Sequence, residues 1–214
     1  MGFEDIYKHK PQIKESANAR VNLIGEHTDY TGGYVMPTLL IFKNTIELSS
    51  NDEKKFVVFS EYFNEKKVFN DFVKSKNSDW SDYIKGCFFI FFDENKKIKL
   101  EHFNIYIRST IPLGRGISSS SALCVSILKA LNTYFNTQIN ERHLAILAKK
   151  VENEYIGVSS GIMDQMVSSI GTYGKAFFLD CLNLKYELIN FPSNWKFCLI
   201  DSEVQRNLRS SSYN

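Results

Sequence analysis

The sequence lacks the features that mark several classes of protein. Its four cysteines, Cys87, Cys124, Cys181 and Cys198, lie far apart without a Cys-x-x-Cys pair, so neither a zinc site nor a disulfide framework is indicated. Its most apolar run, residues 87–92, is far shorter than the roughly 20 residues that a membrane helix needs. The net charge is only +2, and the lysines are interspersed with Asp and Glu, which argues against a dedicated nucleic-acid binder. We therefore expect a cytoplasmic protein with neither membrane nor nucleic-acid partners.

The composition indicates a globular protein with a substantial core. Hydrophobic residues make up 43% of the 214 positions and charged residues 23%, which is the balance of ordinary folded domains. The length fits one large domain, or one domain with part of another. The first residues are acidic where a secretion signal would carry a basic region and an apolar segment. The N-terminal residues therefore do not predict export.

A glycine-rich turn between a strand and a helix is the most informative stretch. Residues 103–109 alternate apolar and polar side chains, and apolar residues recur at helical spacing from Ala122 onward. Gly114 and Gly116 lack Cβ, so the backbone between the two elements can approach a ligand closely. The start of the helix adds unpaired N–H donors and the positive end of a dipole. We interpret residues 112–123 as a phosphate cradle, the alternative being an ordinary turn that only caps a helix.

The turn differs from the two best-known phosphate loops. It contains no lysine, which a Walker-type loop requires, and Ser119 stands where a Rossmann fingerprint has its third glycine. The remaining pattern, Pro-x-Gly-x-Gly-Ile-Ser-Ser-Ser, resembles the second signature of the GHMP small-molecule kinases. The resemblance implies that the loop binds the phosphates of ATP through Gly114, Arg115, Gly116, Ile117, Ser118, Ser119, Ser120 and Ser121.

A second motif lies near the N-terminus. The sequence Arg-Val-Asn-Leu-Ile-Gly-Glu-His-Thr-Asp-Tyr at residues 20–30 resembles the signature of the galactokinases within the GHMP kinases. The resemblance implies that Glu26, His27 and Asp29 hold the sugar hydroxyls and that Arg20 stands beside the reacting centre. Carboxylates that accept paired hydrogen bonds suit vicinal hydroxyls. Taken singly, the same residues would be a surface histidine and a solvated acidic loop.

A third motif places an acid at the start of a helix. We expect Gly161 to open this helix and Asp164 to lie in its first turn, where the helix dipole stabilises a carboxylate. On that ground alone, Asp164 would only favour the helix start. The block is similar to Gly-x-x-x-Gly-Ile-Met-Asp-Gln of galactokinases, whose Asp is the proposed catalytic base. The resemblance therefore assigns Asp164 to catalysis and to the sugar site, together with Gly161.

The helix predicted over residues 141–155 carries a further acid. Asn140 is its expected cap, and its apolar face includes Leu144, Leu147 and Val151. Glu152 lies on a different side from most of that face, so its default role is a solvated helix surface. The resemblance implies instead that Glu152 and Ser119 accompany Mg²⁺, which accepts few protein oxygens and relies on substrate phosphates.

The other elements are predicted from local pattern. We expect a short helix near residues 3–8, strands at 21–24, 41–48, 55–60, 175–180 and 195–200, a polar hairpin connection at 51–55, a weakly ordered insert at 66–76, and a helix from Trp80. The final residues resemble a family segment in which Tyr213 is a pocket tyrosine. In that segment Asp201 replaces the usual Asn, and Arg206 stands where His is common.

The resemblance implies an α+β fold, the N-terminal domain of a GHMP kinase, with a mixed sheet packed against helices. Residues 1–18 would be a lead-in, 19–194 this domain with its galactose motif at 19–37 and phosphate loop at 112–123, and 195–214 the beginning of a second domain. Family members continue further, so we expect the chain to be incomplete relative to them.

The implied activity is transfer of a phosphoryl group from ATP to the anomeric hydroxyl of galactose, with Mg²⁺ as cofactor and a monomer as the complete enzyme. Two alternatives stay open. One is an N-acetylgalactosamine kinase, which the intact sugar loop does not exclude. The other is a non-catalytic galactose and ATP sensor of galactokinase descent, which the intact serine loop disfavours.

Overall fold

A computed structural model describes residues 1–201, in which one mixed β-sheet carries the helices. The helices are α1 (Phe3–Tyr7), α2 (Ser81–Glu94), α3 (Ser119–Phe135), α4 (Glu141–Lys150) and α5 (Met163–Ile170), and a π-helical turn, Val151–Ile156, follows α4 directly. The strands are β1 (Ile13–Asn22), β2 (Tyr34–Val35), β3 (Pro37–Asn51), β4 (Phe56–Ser60), β5 (Glu65–Phe69), β6 (His102–Ser109), β7 (Lys175–Asp180) and β8 (Lys185–Asn190). No helix within this range combines the length and the apolar character needed to cross a membrane.

The long strand β3 organises the sheet. The strand order is β2-β7-β3-β6-β4-β5, with β1 paired to β3 and β8 paired to β7. Neighbours run antiparallel except β4 and β6, which are parallel. A parallel pair requires a crossover connection, and α2 lies in the chain between these two strands. Because β6 lies between β3 and β4, the predicted hairpin connection at residues 51–55 is wrong.

Helices α2, α3 and α4 pack with the sheet around one apolar core. Phe88 and Phe91 from α2, Leu128 from α3 and Ile46 from β3 are all fully buried in it. Burying one such side chain contributes roughly 1.5–3 kcal/mol relative to leaving it exposed. The ends of β1, α3 and α5 that meet at the site described below are therefore mounted on a well-packed scaffold.

Most predicted elements are confirmed. The short N-terminal helix, the strands at 103–109 and 175–180, and the helix that follows the glycine turn are all present. Asn140 caps α4 as expected, since its side-chain oxygen accepts a 2.9 Å hydrogen bond from the His143 N–H. The predicted helix over residues 141–155 ends as a π turn instead of continuing as a regular α-helix.

Some predictions were wrong. Strand β1 starts at Ile13, within the expected lead-in. Its start is not predicted by the sequence pattern because its buried positions hold small residues, Ala17 and Ala19, instead of β-branched ones. Strand β5 occupies the start of the insert expected to be weakly ordered. Residues 195–200 form no strand, and Trp195 is 59% exposed, because no described strand pairs with this segment or offers it a face to pack on.

Candidate active site

The site is built around an ion pair between Arg20 of β1 and Asp164 of α5. Arg20 Nε lies 2.6 Å from Asp164 Oδ1 and Nη2 lies 2.8 Å from Oδ2, so the contact is bidentate. The side chains are 14% and 24% exposed. Paired hydrogen bonds of this kind fix orientation as well as charge. The first and third sequence motifs, 144 positions apart, therefore meet through these two residues.

An irregularity between β1 and β3 sets the position of Arg20. The register shifts between Asn18 and Arg20, so that Asn18 faces Lys43 while Arg20 faces Leu39. The Asn18 amide donates a 2.8 Å hydrogen bond to the carbonyl oxygen of Leu40 inside this bulge. Bulges of this type redirect strands near functional sites.

The glycine turn docks against the same arginine. The Arg20 N–H donates to the Ile117 carbonyl at 3.3 Å, and Arg20 Nη1 donates to the Gly116 carbonyl at 3.0 Å. Gly114 and Gly116 have φ values of +72° and +71°, which residues with a side chain rarely adopt. The turn is thus held by its carbonyl groups from one side.

Ser118 links the turn to the acid. It immediately precedes α3 in the left-handed conformation, with φ +63°, and its side chain does not cap the helix. Instead, Ser118 Oγ donates a 2.5 Å hydrogen bond to Asp164 Oδ2. The first N–H groups of a helix have no partner within it, and the Ser118 side chain does not cap those of α3. The N-terminal end of α3 is therefore suited to binding an anion.

The loop that follows β1 brings a second acid to the site. Asp29 packs directly on Gly161, where an added Cβ would lie 1.9 Å from Asp29 Oδ2. Burial and the nearby Asp164 carboxylate raise the pKa of Asp29, and Arg20 opposes them. Two residues that the resemblance assigned to the sugar site are therefore adjacent, and both lie near the ion pair.

Thr28 holds the rest of this loop in place, and Glu26 and His27 are among the side chains that stay accessible. Thr28 Oγ1 donates to the carbonyl oxygens of Gly25 and Tyr34, each at 2.8 Å. Glu26 and His27 are exposed. His27 has a φ of +62°, and its Nδ1 lies 3.1 Å from the Tyr30 hydroxyl. The Glu26 carboxylate and the His27 imidazole therefore lie outside the core, on a surface that a ligand could reach.

Glu152 is buried, so the default alternative of a solvated helix surface is wrong. Only 4% of the residue is exposed. Helix α4 and its π turn pack against α5 and α3 as well as α2, so side chains on more than one side of this segment are buried. Ser121 Oγ donates a 2.8 Å hydrogen bond to Glu152 Oε2, and Gln165 Nε2 donates to the same oxygen. Burial raises the pKa of Glu152, while hydrogen bonds from Ser120 and Ser121 oppose the rise.

These oxygens offer a limited donor set for a metal. Within residues 1–201 no group of three or more His, Cys, Asp or Glu side chains could hold an ion. The half-buried Ser119 begins α3, and its carbonyl accepts a 3.0 Å hydrogen bond from Asn44 Nδ2. One buried carboxylate beside serine hydroxyls fits Mg²⁺, which keeps several waters and binds chiefly to substrate phosphates. It does not fit a metal that needs a full protein cage.

The segment after β8 also reaches the glycine turn. Asp201 Oδ2 lies 2.9 Å from Arg115 Nε. Sequence reasoning noted Asp201 as a departure from the family pattern but did not predict this ion pair. It also missed Gln165, although this residue stands in the quoted Gly-Ile-Met-Asp-Gln block. Tyr213 and Arg206 lie outside the described residues.

Comparison with known proteins gives matches to two family descriptions. Residues 82–172 match the GHMP kinases N terminal domain, and residues 1–48 match the galactokinase galactose-binding signature. The galactokinase of Pyrococcus furiosus is 41% identical over 202 residues, which cover 94% of this chain and 56% of that protein. The galactokinase of Thermococcus kodakarensis is 36% identical over 194 residues, covering 91% and 54%. The chain thus spans about half the length of these relatives.

Solved structures give the same picture. Lactococcus lactis galactokinase, crystallised in complex with galactose, superposes with a TM-score of 0.80 at 33% identity, covering 94% of this chain and 55% of that one. Methanococcus jannaschii mevalonate kinase superposes with a TM-score of 0.72 at 21% identity, covering 84% and 56%, which supports the fold alone. The α+β fold predicted from the sequence is confirmed.

Proposed function

Since this chain belongs to the GHMP kinases and its relatives are galactokinases, we propose that it phosphorylates the anomeric hydroxyl of α-D-galactose. The products are galactose 1-phosphate and ADP. The observation that carries the proposal is the carboxylate of Asp164, bound by Arg20 and by Ser118 at the start of α3. A sugar hydroxyl that attacks a phosphorus atom must lose its proton, and a carboxylate between the sugar loop and the phosphate loop is positioned to accept it.

The chemical step uses Asp164 as the base. As the C1 oxygen of galactose forms its bond to the γ-phosphorus of ATP, the hydroxyl proton passes to Asp164 and the bond to the ADP oxygen breaks. Proton transfer by a positioned side chain typically contributes about 10²–10⁴-fold in rate. Arg20 holds the carboxylate in one orientation and adds positive charge beside the transferring group. Positioning and electrostatics supply most of the catalysis, because the transition state is loose.

The phosphates of ATP bind at the glycine turn. Gly114, Arg115 and Gly116 are exposed there, and the backbone N–H groups of residues 117–121 lead into the N-terminus of α3. Within this run the hydroxyls of Ser118 and Ser121 donate to Asp164 and Glu152 instead, since each hydroxyl has a single proton to donate. The Arg115 guanidinium is the cation of the turn, and it is the group that Asp201 contacts.

We assign Glu152 and Ser119 to Mg²⁺. The ion, when bound, neutralises the charge that develops on the phosphates. Glu152 supplies a carboxylate whose Oε2 accepts hydrogen bonds from Ser121 and Gln165. ATP and Mg²⁺ are therefore the proposed co-substrate and cofactor.

The sugar lies over Asp29 and Gly161, with Glu26 and His27 at the open side. The tight contact of Asp29 with Gly161 leaves no room for a larger residue at position 161, so these two residues have a fixed relative position. The Lactococcus lactis protein was crystallised with galactose, which supports the choice of sugar. The assignment of Tyr213 to the same pocket stays a prediction. So do the domain boundaries, the monomeric state and the cytoplasmic location.

A coupled ADP-release assay tests the proposal. It uses the protein encoded by the complete reading frame that contains this sequence, with galactose, N-acetylgalactosamine or mevalonate as acceptor. We expect turnover with galactose and product carrying phosphate at C1. Preference for N-acetylgalactosamine would replace the proposed substrate, and galactose binding without turnover would indicate a sensor.

A further inference from the structure

Gln165 is the buried neighbour of the proposed base. It lies in the first turn of α5 directly after Asp164, and only 1% of it is exposed. Its Nε2 donates to Glu152 Oε2 and lies 3.4 Å from Ser121 Oγ. Ser121 Oγ itself donates to the same oxygen of Glu152 at 2.8 Å. One side-chain amide thus joins α5, the π turn and the first turn of α3.

The two donors occupy the same carboxylate oxygen. Gln165 and Ser121 both donate to Oε2, so neither of them occupies the other oxygen, Oε1. The Ser120 side chain also interacts with this carboxylate, so the group lies against the start of α3. Hydrogen bonds to a charged group are roughly twice as strong as neutral ones, and they hold the carboxylate in one orientation.

The two ends of the buried Gln165 amide differ in their hydrogen bonding. Its Oε1 is buried and has no hydrogen-bond partner in the part of the chain that the structure describes. Leaving a buried polar atom unpaired costs about 1–3 kcal/mol, whereas a methionine would fill a similar volume without this cost. Any favourable contribution of the amide group therefore comes from its N–H₂ end, which donates to Glu152.

We propose that Gln165 is a positioning residue that, together with Ser121, holds Oε2 of Glu152 and leaves Oε1 to a divalent cation accompanying the nucleotide. The inference rests on the proposed function. Groups that orient a metal ligand from behind typically change metal affinity or activity by about 10–100-fold when removed. Since Gln165 adjoins Asp164 in the same helical turn, the cation site and the base are also kept in register.

The test replaces Gln165 with methionine and uses Ser168→Ala as the matched control. Ser168 lies on the same helix, is also buried at 4% exposure, and its hydroxyl has no partner among the described residues. Mn²⁺ binding in the presence of ADP is measured by electron paramagnetic resonance, the Mg²⁺ dependence of turnover is recorded, and metal-free thermal unfolding is followed.

For Gln165→Met we expect the Mn²⁺ dissociation constant and the Mg²⁺ concentration for half-maximal rate to rise by about tenfold or more. Saturating Mg²⁺ should restore kcat, and KM for galactose should be unchanged. Ser168→Ala should match the unmodified protein. Should Gln165→Met fail to fold, Ser121→Ala must show the same loss of Mn²⁺ binding, because it removes the other donor to the same oxygen.

Two negative outcomes are distinguishable. If the unmodified protein phosphorylates galactose but Gln165→Met binds Mn²⁺ as Ser168→Ala does, the positioning role is overturned and the proposed function stands. A loss of kcat that excess Mg²⁺ does not restore would likewise overturn it. If the unmodified protein neither transfers phosphate nor binds Mn²⁺ with ADP, both the function and the inference fail.

Discussion

Ser118 and Asp164, 46 positions apart in the chain, share a 2.5 Å hydrogen bond from the serine hydroxyl to the carboxylate. The residue that precedes α3 therefore binds the proposed base instead of capping its own helix. We therefore expect a change at the glycine turn to affect the proposed base, Asp164.

Replacing Asp164 with asparagine should abolish turnover while galactose binding remains measurable. The amide keeps the shape of the side chain but is a far weaker proton acceptor, so we expect kcat to fall by about 10²–10⁴-fold. Turnover is measured by ADP release and binding by calorimetry. Near-normal kcat in this variant would refute the assignment of the base.

Replacing Ser118 with alanine should lower kcat about tenfold, because it removes one charge-assisted hydrogen bond to Asp164 and leaves both bonds from Arg20. Ser126→Ala, within the adjoining helix α3, is the control, since in the described part of the chain the Ser126 hydroxyl donates to the Leu123 carbonyl. Steady-state kinetics of the two variants, compared at equal folded fraction, make the test. Equal kcat values in the two would remove Ser118 from the mechanism.

Replacing Gly161 with alanine should weaken galactose binding at least tenfold without changing ADP affinity. The new Cβ would lie 1.9 Å from Asp29 Oδ2, so the carboxylate must move. Calorimetric titration with each ligand separates the effects. Unaltered galactose affinity would mean that Asp29 is not part of the sugar site.

As pH decreases, galactose affinity should begin to fall at a higher pH than it would if Asp29 had the pKa of an ordinary aspartate. Burial and Asp164 raise the pKa of Asp29, so its carboxylate loses its charge at a higher pH than in the unfolded chain. The folded protein then binds this proton more tightly. The contribution of Asp29 to stability is therefore largest at low pH and declines as pH rises through the raised pKa.

The measurement for Asp29 is KM for galactose and the urea unfolding midpoint between about pH 4 and 8, with Asp29→Asn for comparison. Relative to this variant, the unmodified protein should lose stability as pH rises in that window. Parallel stability profiles for the two proteins would contradict the prediction.

Replacing Asp201 with asparagine should lower KM for ATP. The Asp201 carboxylate pairs with Arg115, and we expect it to compete with the nucleotide phosphates for this guanidinium. Partly exposed ion pairs contribute only about 0–1 kcal/mol, so we expect a change of at most about fivefold. The difference should shrink with added salt. If KM is unchanged at low ionic strength, the pair has no bearing on nucleotide binding.

Much of this arrangement was predictable from the sequence, for physical reasons that particular residues make clear. Helix α3 and the cap at Asn140 follow from local periodicity and side-chain chemistry. Strand β1 was recognised only in part, because Ala17 and Ala19 carry no strand preference and are selected by packing. The apolar run at 195–200 reads as a buried strand, yet pairing and burial depend on neighbours that no local pattern supplies.

The site followed the same division. The meeting of Arg20, Asp164 and the glycine turn was expected from the resemblance, and the structure brings them together. The burial of Glu152 was not, because it depends on which helices flank α4. Asp201 departs from the family pattern, and Arg115 stands at a position that the pattern leaves variable. The ion pair between them could therefore be found only from the fold.

The hydrogen bond from the Arg20 main-chain N–H to the Ile117 carbonyl is independent of side-chain identity. Every residue except proline can donate it. Arg20→Ala would therefore erase the guanidinium but keep the peptide anchor of the turn, whereas Arg20→Pro would cut the anchor as well. Comparing these two replacements separates the part of the rate that comes from charge from the part that comes from seating the loop.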